Sequence, residues 1–245
     1  MKRVYLVITL FALSQFIVAQ STPAGKIPTG SMGIRSDGRL IEIFENIKNR
    51  TSKQTVSLSK IKGSPYFEEN FKTAVVEYFG EILKDKTYLR HNAFSDEMEM
   101  VSNPELKESE TILIKNNKVA CVIDGNAYRY LGFINENEPP AVGYVIELYK
   151  GNKLSFYERK EKVYMEATEA RTSLERSFPA RFVDKKKYYI AIDNGSLRQV
   201  KLSKKKITAM LKPYSNEIKA FLTVSGAKLK NPDEIVELFN FIEKS

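Results

Sequence analysis

The chain has no tryptophan, one cysteine and one histidine in 245 residues. A single cysteine, Cys121, excludes an internal disulfide, so the fold must rest on packing. Cys121 lies between Ala120 and Val122 in an apolar run and reads as a small buried hydrophobe. One cysteine with one histidine cannot build a Cys/His zinc site. A Cys121–His91 nucleophilic pair is formally open, but the spacing lends it no support. The 12 glycines are scattered at turns, so there is no phosphate-cradling loop. A GxSxG nucleophile elbow is absent as well. No cofactor is expected, and no residue is assigned as catalytic, cofactor-binding or metal-ligating.

Acids are outnumbered by bases, 30 against 39, for a formal net charge of +9. Such a balance excludes an acidic, self-solvating protein. It suits contact with a polyanion such as nucleic acid, lipopolysaccharide or an acidic glycan, or else a surface of solvated lysines. The lysines at 185–187 and 204–206 are the densest runs.

The longest apolar stretch is N-terminal. Lys2 and Arg3 precede residues 4–19, which Ser14 and Gln15 interrupt. The stretch is too short and broken for a comfortable membrane span and reads as a secretory signal peptide. Cleavage is expected between Ala19 and Gln20. No cysteine lies there, so a lipid anchor is not expected. Loss of Lys2 and Arg3 lowers the net charge from +9 to +7. The expected address is periplasmic or extracellular, and the mature chain is not expected to be an integral membrane protein.

Residues 20–38 are rich in Ser, Thr, Pro and Gly and predict a flexible lead-in. Leu40, Ile41, Phe44 and Ile47 suit a short helix, although Ile41 and Ile43 also suit a strand. From 55 onward hairpin signals dominate. Asn116-Asn117 predicts a turn joining two apolar runs; Asp124-Gly125, Gly151-Asn152 and Asn194-Gly195 predict three more, the last as a type I′ turn. Residues 158–167 conflict: the run of charges with Met165 and Ala167 favours helix, while the preceding hairpin favours continued strand.

The chemistry turns helical after Ser203, a cap for Ile207, Met210 and Leu211. Pro213 ends that helix or starts the next, in which Ile218, Phe221 and Leu222 recur at helical spacing and whose end Gly226 suits. Asn231-Pro232-Asp233-Glu234 is a cap, a proline at the first helical position and two acids at the positive end of the dipole, ahead of the stripe Ile235, Leu238, Phe239, Ile242. The expected fold is α+β: an antiparallel sheet or partial barrel of hairpins followed by a helical C-terminal subdomain. The boundaries expected are a β-rich domain over 39–175 and a β-hairpin with helices over 176–245.

The densest mixture of aromatic, charged and turn residues is 63–100. Alternation there places Met98 and Met100 on one face of a strand and Glu97 and Glu99 on a wet one. Arg90, His91, Asn92, Asp96 and Glu97 form the candidate polar cluster, with Arg90 expected to pair with Asp96 or Glu97 across a tight turn. His91, Ser95 and Asp96 are neighbours in sequence, but neighbours on a strand do not converge as a triad does. Two hypotheses follow. One is a non-enzymatic envelope or secreted binding or structural module. The other is a hydrolase of cell-surface polymers that uses a carboxylate pair such as Asp96 with Glu97 or Glu99.

Ile61-Lys62-Gly63-Ser64-Pro65-Tyr66, Leu89-Arg90-His91-Asn92-Ala93-Phe94 and Asp96-Glu97-Met98-Glu99 together resemble an uncharacterised family of secreted Bacteroidetes-type proteins. Phe182-Val183-Asp184, Tyr188-Tyr189-Ile190 and Lys204-Lys205-Lys206 extend the likeness to the C-terminus. The resemblance implies export, a β-rich body and terminal helices. It carries no known activity, so it assigns no functional residue. His91 stands where that family usually has an aromatic, which speaks against a required catalytic histidine.

Overall fold

The computed structural model describes residues 61–106, 109–170, 172 and 176–245. The leader, the lead-in and the expectations for 40–47 and 55–60 lie outside them. The elements in chain order are β1 (Lys72–Tyr78), β2 (Glu81–Ile82), β3 (Thr87–Asn92), β4 (Glu97–Val101), β5 (Thr111–Ile112), β6 (Val119–Ile123), β7 (Asn126–Ile134), β8 (Ala141–Lys150), β9 (Leu154–Met165), β10 (Arg181–Ile192) and β11 (Leu197–Val200). Three α-helices follow: α1 (Lys204–Met210), α2 (Ser215–Ser225) and α3 (Pro232–Lys244), with a 3₁₀ turn at Lys212–Tyr214 between the first two. Among the described residues no helix is long and apolar enough to cross a membrane.

The fold is α+β. One mostly antiparallel sheet runs β11-β10-β9-β8-β7-β6-β1-β3-β4-β5, with β2 folded back on β1. β11 also pairs in parallel with β7, so the pairings of β7 through β11 close into a ring while the rest stays open. The result is a partial, ring-like sheet rather than a full barrel.

Turn chemistry sets the register. Asp124 and Gly125 both have positive φ, 49° and 79°, as a two-residue hairpin requires. At the β10–β11 turn the positive angles fall on Asp193 (48°) and Asn194 (58°), one position earlier than the Asn-Gly pair suggests. The amide of Gly195 closes that turn by donating to the carbonyl of Ile192. The Asn116-Asn117 hairpin does not form. A turn is present there, but β5 pairs with β4 whereas β6 pairs with β1 and β7, so the two runs part to different neighbours.

The conflict at 158–167 resolves to strand. β9 pairs with β10 at every position from Leu154–Ile192 to Met165–Arg181, and this continuous ladder outweighs the local helix propensity of the charged run. Residues on both sides of the 168–179 connection therefore share one sheet.

Among the described residues, three apolar clusters form the core. Phe156, Ile190 and Val200 on one face of β9–β11 receive Ile207, Leu211, Ile218, Phe221 and the α3 stripe Ile235, Leu238, Phe239 and Ile242. Each stripe residue is at most 1% exposed, and burying such a side chain contributes about 1.5–3 kcal/mol. Ser203 Oγ caps α1, Asn231 Oδ1 caps α3, and Gly226 ends α2 in the left-handed region. A second cluster joins Leu89, Met98, Cys121, Tyr128, Tyr144 and Ile146. The third fills the ring with Phe133, Val145, Tyr157, Tyr189, Ala191 and Leu197.

Candidate functional site

The candidate polar cluster sits on the β3–β4 hairpin, and strand alternation divides it. Arg90 and Asn92 point to one side of β3, His91 to the other. Arg90 does not pair with Asp96 or Glu97. Its cross-strand neighbour is Glu99. Arg90 Nε and Nη2 both donate to Glu99 Oε2, at 3.0 and 2.6 Å. Nη1 donates to the carbonyl of Glu69 at 2.7 Å. The guanidinium lies between the rings of Tyr66 and Phe71, with centroids at 3.9 and 4.2 Å. Tyr66 OH and Asn92 Nδ2 donate to the other oxygen of Glu99, each at 3.0 Å. Burial, then the charge of Glu99, pushes the Tyr66 phenol up to about 12. The glutamate face is thus not wet: Glu99 is 7% exposed, under the segment that carries Tyr66 and Phe71.

Asp96 belongs to the other side. It occupies the end of the β3–β4 turn at φ 55°, a conformation aspartate tolerates better than most residues. Its position follows from a split in the sheet. β8 and β9 pair from Ile146–Glu158 to Lys150–Ser155 and no further, while β7–β8 and β9–β10 continue. The turn enters that split. Ala93 accepts from the amide of Lys162 on β9 at 2.9 Å. Asp96 Oδ2 accepts from the amide of Tyr144 on β8 at 3.2 Å. Arg159 Nη1 donates to Asp96 Oδ2 at 3.1 Å and to the carbonyl of Tyr144 at 3.0 Å. Side chains thereby satisfy backbone groups the missing ladder leaves open.

His91 Nε2 and Asp96 Oδ1 are 3.2 Å apart, and the imidazole packs against Tyr128 and Tyr144 with centroids at 5.5 and 5.9 Å. It occupies a place suited to an aromatic ring. Burial alone would raise the Asp96 carboxyl, but the charge of Arg159 and the hydrogen bond from His91 outweigh it and hold the group below the ordinary aspartate value.

The network continues through residues absent from the sequence-based cluster. Glu161 accepts from Arg159 Nε at 2.9 Å and meets Lys187 Nζ at 3.3 Å. Lys187 also reaches Glu138, and Glu138 accepts from Asn135 at 2.9 Å. Arg159 and Lys187 are direct cross-strand partners, so Glu161 neutralises a like-charge contact. The one local signal for this convergence is Gly143, interrupting an alternating strand: any side chain there would run into the Arg159 guanidinium and the Asp96 carboxylate.

The remaining candidates do not converge. Ser95 Oγ donates to Glu97 Oε2 at 2.9 Å rather than to His91. Burial pushes the Cys121 thiol up to about 12, which keeps it protonated and unreactive. The lysine run at 185–187 is not a uniform solvated strip. Lys187 is buried and ion-paired, Lys186 lies 3.5 Å from Glu158, and Lys185 is exposed. In the second run, Lys206 pairs with Glu136 at 2.8 Å, while Lys204 and Lys205 are exposed. Among the described residues no group of three or more His, Cys, Asp or Glu side chains is placed to hold a metal ion. Compared with protein-family models, with curated proteins and with solved structures, the chain finds no match.

Proposed function

We propose that this is an exported, non-enzymatic binding module that meets a polyanion through exposed lysines. The observation that carries the reading is the state of Asp96. A catalytic carboxylate needs an oxygen facing substrate and, as a general acid, a raised pKa. Asp96 instead accepts from Arg159 and the Tyr144 amide on one oxygen and meets His91 on the other, and its pKa is lowered. Glu99 is likewise engaged on both oxygens. These groups support the fold, and their commitment favours the binding reading over a carboxylate-dependent hydrolase.

The polyanion follows from placement of charge. Lys201, Lys204 and Lys205 are exposed around the start of α1, whose first turn contains no acid. Glu136 pairs with Lys206 at 2.8 Å and feels the charge of Lys201, and the exposed run still carries more positive than negative charge, which favours an anionic partner. Export rests on the leader-like residues 1–19, and mass spectrometry of the secreted protein should find a mature start within about two residues of Gln20. Binding is tested by retention on immobilised heparin and on lipopolysaccharide. Retention at low salt should fall steeply as salt rises, and a Lys201→Gln, Lys204→Gln, Lys205→Gln variant should elute earlier. No retention at low salt contradicts the reading.

A further inference from the structure

The ring of β7 through β11 ends, beside the β10–β11 turn, in a shallow cleft of ≈ 430 Å³ that is open to solvent. That size lies in the range of small-molecule sites, and the mouth of a closed sheet is a common place for one. Leu131, Tyr157 and Leu197, from the apolar filling of the ring, contribute to its lining. Arg129, Glu147 and Lys150 supply the charges.

The charges are unequally engaged. Arg129 Nε meets Glu147 Oε2 at 3.4 Å, and the arginine side chain is 40% exposed. A guanidinium carries five N–H donors in a planar fork, so among the described residues this single contact leaves the paired Nη donors for a ligand. Lys150 Nζ donates to two neutral oxygens, Ser155 Oγ and Asn194 Oδ1, both at 3.2 Å. Its third donor remains, and its charge is not offset by those partners. Two cations against one carboxylate leave the cleft net positive. An apolar lining beside a forked cation matches a molecule with a hydrocarbon or ring body and one carboxylate.

We propose that this cleft binds a small amphipathic carboxylate, with its apolar body against the half-buried Leu131 over a floor of Tyr157 and Leu197, its anionic group on Arg129, and Lys150 adding positive charge at the rim. This site is independent of the lysines around α1. A bare anion would forgo the apolar contact, and a neutral amphiphile would forgo the ion pair.

Calorimetric titration with octanoate, octanol and acetate tests the assignment. Octanoate should bind in the millimolar range or tighter, with octanol and acetate each at least about tenfold weaker. Arg129→Gln should weaken octanoate about tenfold or more while the unfolding midpoint of the free protein stays near that of the wild type, since the residue sits at a solvated rim. Lys150→Gln should weaken it less. Amide shifts on titration should centre on 129–132 and 194–197. Absence of octanoate binding at millimolar concentration overturns the proposal. So does octanol binding as well as octanoate, an Arg129→Gln variant of unchanged affinity, or a shift map centred elsewhere.

Discussion

Asp96, at the end of the β3–β4 turn, and Arg159, in β9, are 63 positions apart in sequence and meet at 3.1 Å where β8 and β9 separate. The contact fastens the hairpin that carries the candidate cluster into the body of the sheet. It places Asp96 and Arg159 among the contacts that hold the hairpin against β8 and β9.

Acid should loosen this fastening in a defined window. The Asp96 carboxyl is lowered in the folded protein, so its stabilising contribution is complete above the ordinary aspartate value of about 3.9 and is lost as pH falls through the lower folded value. Urea midpoints measured across that range should fall for the wild type and fall less for Asp96→Asn. Glu110, Glu136 and Glu234 are lowered too, first by hydrogen bonds from the Ser102 amide, the Lys206 side chain and the Lys230 amide. They act in both proteins, so the difference isolates Asp96. Parallel curves would contradict the assignment.

Arg90 and Glu99 form a buried pair with side chains 9% exposed each. Removing Arg90 alone leaves Glu99 buried without its cation and should cost about 3–5 kcal/mol. Replacing both, as Arg90→Met with Glu99→Leu, should cost less than the sum of the single changes. Denaturant unfolding of the three variants measures it. Additive effects would show that the two side chains do not depend on each other.

Gly143 and Gly132 separate a required glycine from a permissive one. Neither has a positive φ. A methyl at 143 would displace the Asp96–Arg159 pair and should cost about 1–3 kcal/mol, whereas one at 132 would meet only the Ala141 carbonyl at 3.9 Å. Thermal melts should show Gly143→Ala destabilised and Gly132→Ala near the wild type. Equal midpoints would mean that the Asp96–Arg159 pair does not depend on a glycine at 143.

The parts of the fold legible in the sequence are those with local causes. Asn231-Pro232 and the 3.6-residue stripe locate α3, and Asp124-Gly125 locates its hairpin, because capping and positive φ are properties of a few adjacent residues. The same logic places the β10–β11 turn but sets its register one position late, since Asp193 and Asn194 share the tolerance for positive φ. Turn proximity favours Asp96 or Glu97 as the partner of Arg90. Cross-strand register instead sets Arg90 opposite Glu99. In the sequence Arg159, Glu161 and Lys187 are only members of charged runs. Their convergence on Asp96 depends on where β8 and β9 part, which is fixed by the whole sheet and has no local signature beyond Gly143.

The most direct test of the framework role is a double-mutant cycle on Asp96→Asn and Arg159→Gln, read by urea unfolding. A structural pair should destabilise in each single variant and show a coupling of about 1–3 kcal/mol. Coupling near zero, with both single variants as stable as the wild type, would contradict the account.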